Sequence, residues 1–206
     1  NGFDAGSLAA SDTDAARLAT FAERGVYTST TNTDIIARSD AVILAVKPQV
    51  MHAVLAQLQE ALSARDCLLI SIAAGIPMHS LQAWTHGGQA IVRCMPNTPA
   101  LVQTGASALY ANAQCSVAQR EMAEALLNAV GISCWLDSEN DMDAVTALSG
   151  SGPACFFLLM EAMQEAAIAM GLTTDTARQL CLQTSLRTAT LASQSDVDVG
   201  ELRRRV

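Results

Sequence analysis

The sequence predicts an α/β protein: a doubly wound, mainly parallel sheet followed by an all-α region. Three observations carry this. Short apolar runs alternate with amphipathic helical patterns through the first half, strand signals stop after Leu136, and the remainder reads as three helical patterns poor in charge. Continuous apolar strands separated by helices are what a parallel sheet covered on both faces requires.

Taken in order, a strand at 7–10 precedes a helix at 13–24, and a strand at 26–28 precedes a helix at 33–38. The run Ala41-Val42-Ile43-Leu44-Ala45-Val46 is the next strand and leads to a helix at 49–59. Leu68-Leu69-Ile70-Ser71-Ile72, a helix at 78–84 and the strand Ala90-Ile91-Val92-Arg93 continue the beat. After Pro99 a strand at 105–110, a helix at 117–130 and a strand at 132–136 are expected to close the sheet with an antiparallel edge. The helical patterns span 139–149, 153–170 and 173–193, which puts the domain boundary near 136. The stretch 153–170 is apolar all round, so burial against neighbouring helices or another subunit is expected.

Composition narrows the function. The 206 residues are 50% apolar and 16% charged, with mean hydropathy +0.26, so the chain can repay its ordering entropy by burial. Net charge is −8 and the only basic cluster is Arg203-Arg204-Arg205, which argues against nucleic-acid binding through phosphates. The six cysteines, Cys67, Cys94, Cys115, Cys134, Cys155 and Cys181, lack C-x-x-C spacing and read as buried free thiols, with no metal site. Ser, Gly, Pro or charge interrupts every apolar stretch before the length of a membrane span, so a soluble, cytoplasmic protein is expected. His52, His79 and His86 share no ligand spacing, and no G-x-S-x-G is present.

In doubly wound sheets ligands bind beyond the carboxyl ends of the strands. Ser11-Asp12 stands where such a fold meets the adenosine ribose: an acid favours the bare ribose, a hydroxyl near Arg17 a 2′-phosphate, and a helix cap explains the pair equally well. Ala45-Val46-Lys47-Pro48 carries the only lysine of the chain, either at a binding loop or snorkelling from a strand end. Ser71-Ile72-Ala73-Ala74-Gly75 is small enough for a flat ring or ribose to approach the backbone, or for tight helix packing. Met95-Pro96-Asn97-Thr98-Pro99-Ala100 brackets an amide and a hydroxyl between prolines, a stiff loop of the kind that binds. Glu139 and the run from Asp143 to Pro153 are a fifth feature, where Ser and Gly before a helix offer free amides to an anion or simply cap a helix break.

Together and in this order, Ala45-Val46-Lys47-Pro48, Ser71 to Gly75, Met95 to Ala100, and Asp143-Ala144-Val145-Thr146 through Ser149-Gly150-Ser151-Gly152-Pro153-Ala154 resemble pyrroline-5-carboxylate reductase over essentially the whole chain. The resemblance implies NAD(P)H-dependent reduction of 1-pyrroline-5-carboxylate to L-proline, the last step of proline biosynthesis, with NADPH as cofactor and NADH an alternative. It implies a Rossmann-like dinucleotide-binding domain over 1–136 and a helical dimerisation and substrate domain over 137–206. It implies a homodimer, often assembled further into a decamer. Family members begin with a strand and a G-x-G-x-M-G-type loop and continue with a Ser-Pro-Gly-Gly-Thr-Thr-like segment. Neither is in these 206 residues, so the chain is expected to be a fragment that is inactive in isolation.

Carried over residue by residue, Ser11 and Asn32 are implied near the adenosine end of the cofactor, and Ala45, Val46, Lys47, Pro48, Ile72, Ala73 and Ala74 along its path. Asn97 and Thr98 are implied close to the nicotinamide, and Glu139 close to the substrate. Asp196-Val197-Asp198-Val199-Gly200 stands where relatives usually have a Glu and a His-Pro-Gly. In such a scheme hydride passes to a protonated imine, and catalysis rests on aligning ring against ring and on stabilising the cation. Two other readings remain open: an imine or 2-hydroxy-acid reductase with a different substrate, and a catalytically silent homologue that senses a dinucleotide or oligomerises.

Overall fold

The computed structural model describes residues 2–206. Apolar side chains that recur at helical spacing on one side of the chain meet strands that are apolar on both faces. β3 (Ala41–Leu44), β4 (Leu68–Ser71), β5 (Ile91–Met95), β6 (Gly105–Ala111) and β7 (Gly131–Trp135) form one sheet in that order. β3, β4 and β5 are parallel, β6 runs against β5, and β7 is parallel to β6. The reversed edge thus comprises two strands, the second parallel to the first. β1 (Ala9–Ser11) and β2 (Tyr27–Ser29) form a separate parallel pair.

Both faces of the central strands are covered. On one, Leu44, Leu69 and Ile91 pack with Met51, Leu55, Leu58 and Leu62 of α3 (Pro48–Ser63) and with Met78 and Leu81 of α4 (Met78–Trp84). The 4-3-4 spacing of the α3 quartet is a helical stripe, and each such side chain contributes about 1.5–3 kcal/mol on burial. On the other face, Leu68, Ile70, Val92 and Leu109 meet Ala123 and Leu127 of α5 (Val117–Asn128). A Ser116/Gln119 capping box starts α5, and Pro48 at the first turn starts α3. α1 (Ala15–Ala22) and α2 (Asn32–Ile36) flank the β1–β2 pair.

Several boundaries depart from expectation. Asp4 caps a 3-10 turn at Ala5–Ser7, so the first strand begins at Ala9. β3 stops at Leu44 because Lys47, extended before Pro48, already leads into the next helix. The segment expected as a helix over 139–149 is a 3-10 turn (Glu139–Asp141), a short α6 (Met142–Val145) and a π turn (Thr146–Gly150). Thr146 and Ser149 hydroxyls donate to the Met142 and Val145 carbonyls, the back-bonding that loosens helices.

The chain divides into two compact units, the first through Ser151 and the second Gly152–Val206. Glu139–Gly150 falls in the first. The second unit comprises α7 (Gly152–Ala169), α8 (Thr174–Ser193) and α9 (Val199–Arg204), with the Cys181 thiol of α8 donating to the Met160 carbonyl of α7. Burial of α7 against neighbouring helices or another subunit was expected; within the single chain none of its residues is buried, and Phe156, Phe157, Leu158 and Leu159 are each more than half exposed. α8 covers only one side of it. The expectation that no apolar stretch reaches membrane-span length is also corrected. The continuous helical stretch Glu139–Ala169 contains an 18-residue window of mean hydropathy 1.3, because Pro153 sits in the first turn of α7, where it does not interrupt the helix. Cys67, Cys94 and Cys181 are buried as expected and Cys115 is half-buried, whereas Cys134 on the edge strand and Cys155 on the uncovered helix are exposed.

Candidate functional site

The parallel register decides which exits are neighbours. Leu44 pairs with Ser71 and Ser71 with Arg93, so Ala45–Pro48 and Ile72–Gly75 leave the sheet side by side, with the β5 exit next to them. Ala45, Lys47 and Pro48 are exposed, Val46 and Ile72 are half-buried, Ala73 is buried and Ala74 is exposed. Ala73 and Ala74 keep the second exit small beyond Ile72, and Gly75 turns there at φ +75°, which favours glycine. Lys47 makes no ion pair among the described residues and caps α3 through its backbone conformation alone.

Ser11 and Asn32, far apart in sequence, meet at the end of β1: the Ser11 hydroxyl donates to Asn32 Oδ1 at 2.8 Å. Arg17 stands 3.6 Å from Asp12 and 3.5 Å from Asp14, so its charge is shared with two carboxylates. Asn97 is fixed from the side, its Oδ1 accepting from the Ala106 amide at 2.9 Å. Thr98 opens the 3-10 turn Thr98–Val102 and is exposed. That turn packs so closely on β6 that a Cβ at Gly105 would stand 2.9 Å from Ala100 Cβ.

One carboxylate oxygen of Glu139 is committed. Oε1 accepts from the Met78 amide at 2.6 Å and pairs with Arg93 Nη1. Arg93 entered the sequence reading only as the end of a strand. The signal for it was a lone cation inside the apolar run Ala90 to Met95, since a charge inside a sheet needs a partner. The contact of Gly150 with Met95 was equally invisible: a Cβ there would meet Met95 Cε at 2.6 Å. The amides expected to be free ahead of α7 are partly used, because Ser151 N–H donates to the Thr146 carbonyl at 2.8 Å. Asp198 caps α9, accepting from the Gly200 and Glu201 amides.

Nucleophilic chemistry finds no support at β5. Burial pushes the Cys94 thiol up to about 12, against a smaller opposing effect of the Ser107 hydrogen bond. A cleft lined by Arg65, Asp66, His86 and Gln89 lies at the N-terminal ends of β4 and β5, the wrong end of the sheet for this fold. Arg65 is spent there on the Ala37 and Ser39 carbonyls and on Asp40.

Residues 139–206 match the family model for pyrroline-5-carboxylate reductase dimerisation, and residues 5–75 match that for NADP oxidoreductase, coenzyme F420-dependent. A pyrroline-5-carboxylate reductase of Pseudomonas aeruginosa is 52% identical over 206 residues, covering 100% of this chain and 75% of the relative. The solved pyrroline-5-carboxylate reductase of Coxiella burnetii is 39% identical with TM-score 0.93, over 99% of this chain and 76% of that one. That of Plasmodium falciparum, solved with NADP bound, is 30% identical with TM-score 0.81, over 88% and 68%. Matched along its whole length at this identity, the chain belongs to the pyrroline-5-carboxylate reductase family.

Proposed function

We infer that the protein is an NAD(P)H-dependent oxidoreductase that reduces 1-pyrroline-5-carboxylate to L-proline, with NADPH as the cofactor and NADH an alternative. The observation that carries the reading within the structure is the adjacency of three strand exits: one carrying Lys47, one rich in small residues and one a proline-bracketed loop pinned by Asn97. These residues fit a dinucleotide. Ala73, Ala74 and Gly75 leave the backbone approachable, and the Ser11–Asn32 pair offers a hydroxyl and an amide at the β1 exit.

In this reading Ser11 and Asn32 hold the adenosine end, and Ala45, Val46, Lys47, Pro48, Ile72, Ala73 and Ala74 line the path of the cofactor. The cofactor, when bound, supplies the hydride that reduces the imine carbon. Asn97 and Thr98 stand close to the nicotinamide and hold it in line with the substrate. Because Asn97 Oδ1 is held by the Ala106 amide, its Nδ2 donors keep a fixed direction, and such preorganisation lowers a barrier without covalent chemistry. Lys47, exposed and unpaired among the described residues, shapes the cofactor loop.

The exposed apolar sides of α7 and α8 are the proposed seat of subunit pairing. Leu180, Leu182, Leu186 and Leu191 extend the surface begun by Phe156 to Leu159, more than a lone small domain leaves in water. Assembly to a homodimer, and of dimers to a decamer, follows the family pattern. Six free cysteines go with a reducing, cytoplasmic setting. The test is to give the full-length protein NADPH and 1-pyrroline-5-carboxylate and to follow L-proline. Proline formation is expected; bound NADPH without turnover would turn the reading to another imine or a silent homologue.

A further inference from the structure

One carboxylate oxygen joins three segments of the first unit. Glu139 Oε1 accepts from the amide of Met78, the first residue of α4, and pairs with Arg93 in the middle of the sheet. Met78 lies three residues beyond Gly75, at the end of the Ile72–Gly75 exit, and Arg93 lies four residues ahead of Asn97 on the strand that delivers it. The pair is largely withdrawn from water, with 13% of the Arg93 and 27% of the Glu139 side chain exposed. The same segment returns to β5 at its other end, where Gly150 packs against the tip of the Met95 side chain. Glu139–Gly150 therefore grips the β5 exit twice, and at Glu139 it ties that exit to its neighbour.

We propose that the Arg93–Glu139 pair is a positioning device for hydride transfer: it fixes the Asn97–Thr98 loop relative to the Ile72–Gly75 exit, and Glu139 touches neither substrate nor cofactor. The proposal rests on the reductase reading and replaces the substrate contact that the family resemblance implies for Glu139. The chemistry supports a holding role. An oxygen that accepts a backbone amide at 2.6 Å and a guanidinium has its lone pairs committed within the protein. A charge-assisted contact of this kind holds a geometry tightly, and misplacement of about 1 Å costs up to about a hundredfold in rate.

The test uses the full-length enzyme with Glu139→Gln, Arg93→Met and the double variant, all close to native in volume. Each single variant is expected to lower kcat by about tenfold to about a hundredfold, with KM for NADPH held within about twofold. The double variant should lose no more than the worse single one, because both remove the same pair. The pH profile of kcat should keep its shape. Loss of one limb of that profile in Glu139→Gln, with kcat intact in Arg93→Met, would overturn the proposal by making Glu139 a catalytic residue. Lower Tm with unchanged kcat in both single variants would overturn it by making the pair merely structural. If Arg93→Met fails to fold, Arg93→Lys, which keeps the charge but not the fork, should show the same fall in kcat. Wild-type enzyme without turnover of 1-pyrroline-5-carboxylate would instead refute the reductase reading.

Discussion

A single methyl group added at Gly105 is expected to displace the Thr98–Val102 turn. The new Cβ would stand 2.9 Å from Ala100 Cβ, 3.0 Å from its Cα and 3.1 Å from its nitrogen. Carbon atoms in contact rest at about 3.5–4.0 Å, so the Thr98–Val102 turn or β6 must yield by roughly 0.6–1.1 Å. β6 is held on one side by β5 and on the other by β7, where Gly131 lies so close to Gly105 that a Cβ there would strike the Gly105 carbonyl. The turn, attached at one edge, is the part that gives way. Overpacking of this kind costs about 1–3 kcal/mol, or about 2–12 °C in Tm for a chain of this size. Because the movement reaches Thr98 and Asn97, kcat should fall by about tenfold to about a hundredfold. Steady-state kinetics and thermal melting of the full-length Gly105→Ala enzyme measure both. Gly88→Ala, with nothing within 4 Å of the added carbon, is the control and should change neither. Wild-type kcat and Tm in Gly105→Ala would refute the reasoning, as would equal losses in the control.

Burial keeps the Cys94 thiol protonated in the folded state up to about pH 12, against an ordinary value of 9.0, so its contribution to stability is fully present below pH 9 and is lost as pH rises towards 12. The slope from this group is at most about 1.4 kcal/mol per pH unit, and urea denaturation at neutral and alkaline pH should find it shallower in Cys94→Ala; an unchanged slope would count against it. Lys47→Met should raise KM for NADPH by up to about fivefold with little change in kcat, the scale of one exposed charge contact, and unchanged cofactor affinity would remove Lys47 from the cofactor loop. Phe157→Glu together with Leu158→Glu should dissociate the oligomer in sedimentation, since each carboxylate would be buried against apolar surface; survival of the oligomer would place the interface elsewhere.

What was legible in the sequence was what periodicity carries. The stripe Met51, Leu55, Leu58, Leu62 and the unbroken runs of β4 and β5 follow from which faces need covering, and α4 appears over 78–84 as expected. Boundaries set by single side chains were not, as at Asp4 and Lys47, because a cap competes with propensity over one or two residues. The π turn at Thr146–Gly150 was hidden for a related reason: hydroxyls bonding backwards and a glycine chosen for a tertiary contact leave the helical pattern of apolar residues intact. The strand exits could be read because small residues, prolines and a lone lysine are unusual there. The partners that fix them, Arg93 for Glu139 and the Ala106 amide for Asn97, lie 46 and 9 residues away, and only the folded sheet brings them together.

The central claim, that the exits of β3, β4 and β5 form one cofactor and substrate site, is tested most directly by hydrogen exchange of the full-length protein with and without NADPH. Protection is expected at residues 45–48, 72–75 and 97–98, with no change around Arg65, Asp66 and His86 at the opposite ends of the strands. Protection confined to the Arg65–His86 cleft, or none at the three exits while NADPH is bound, would contradict it.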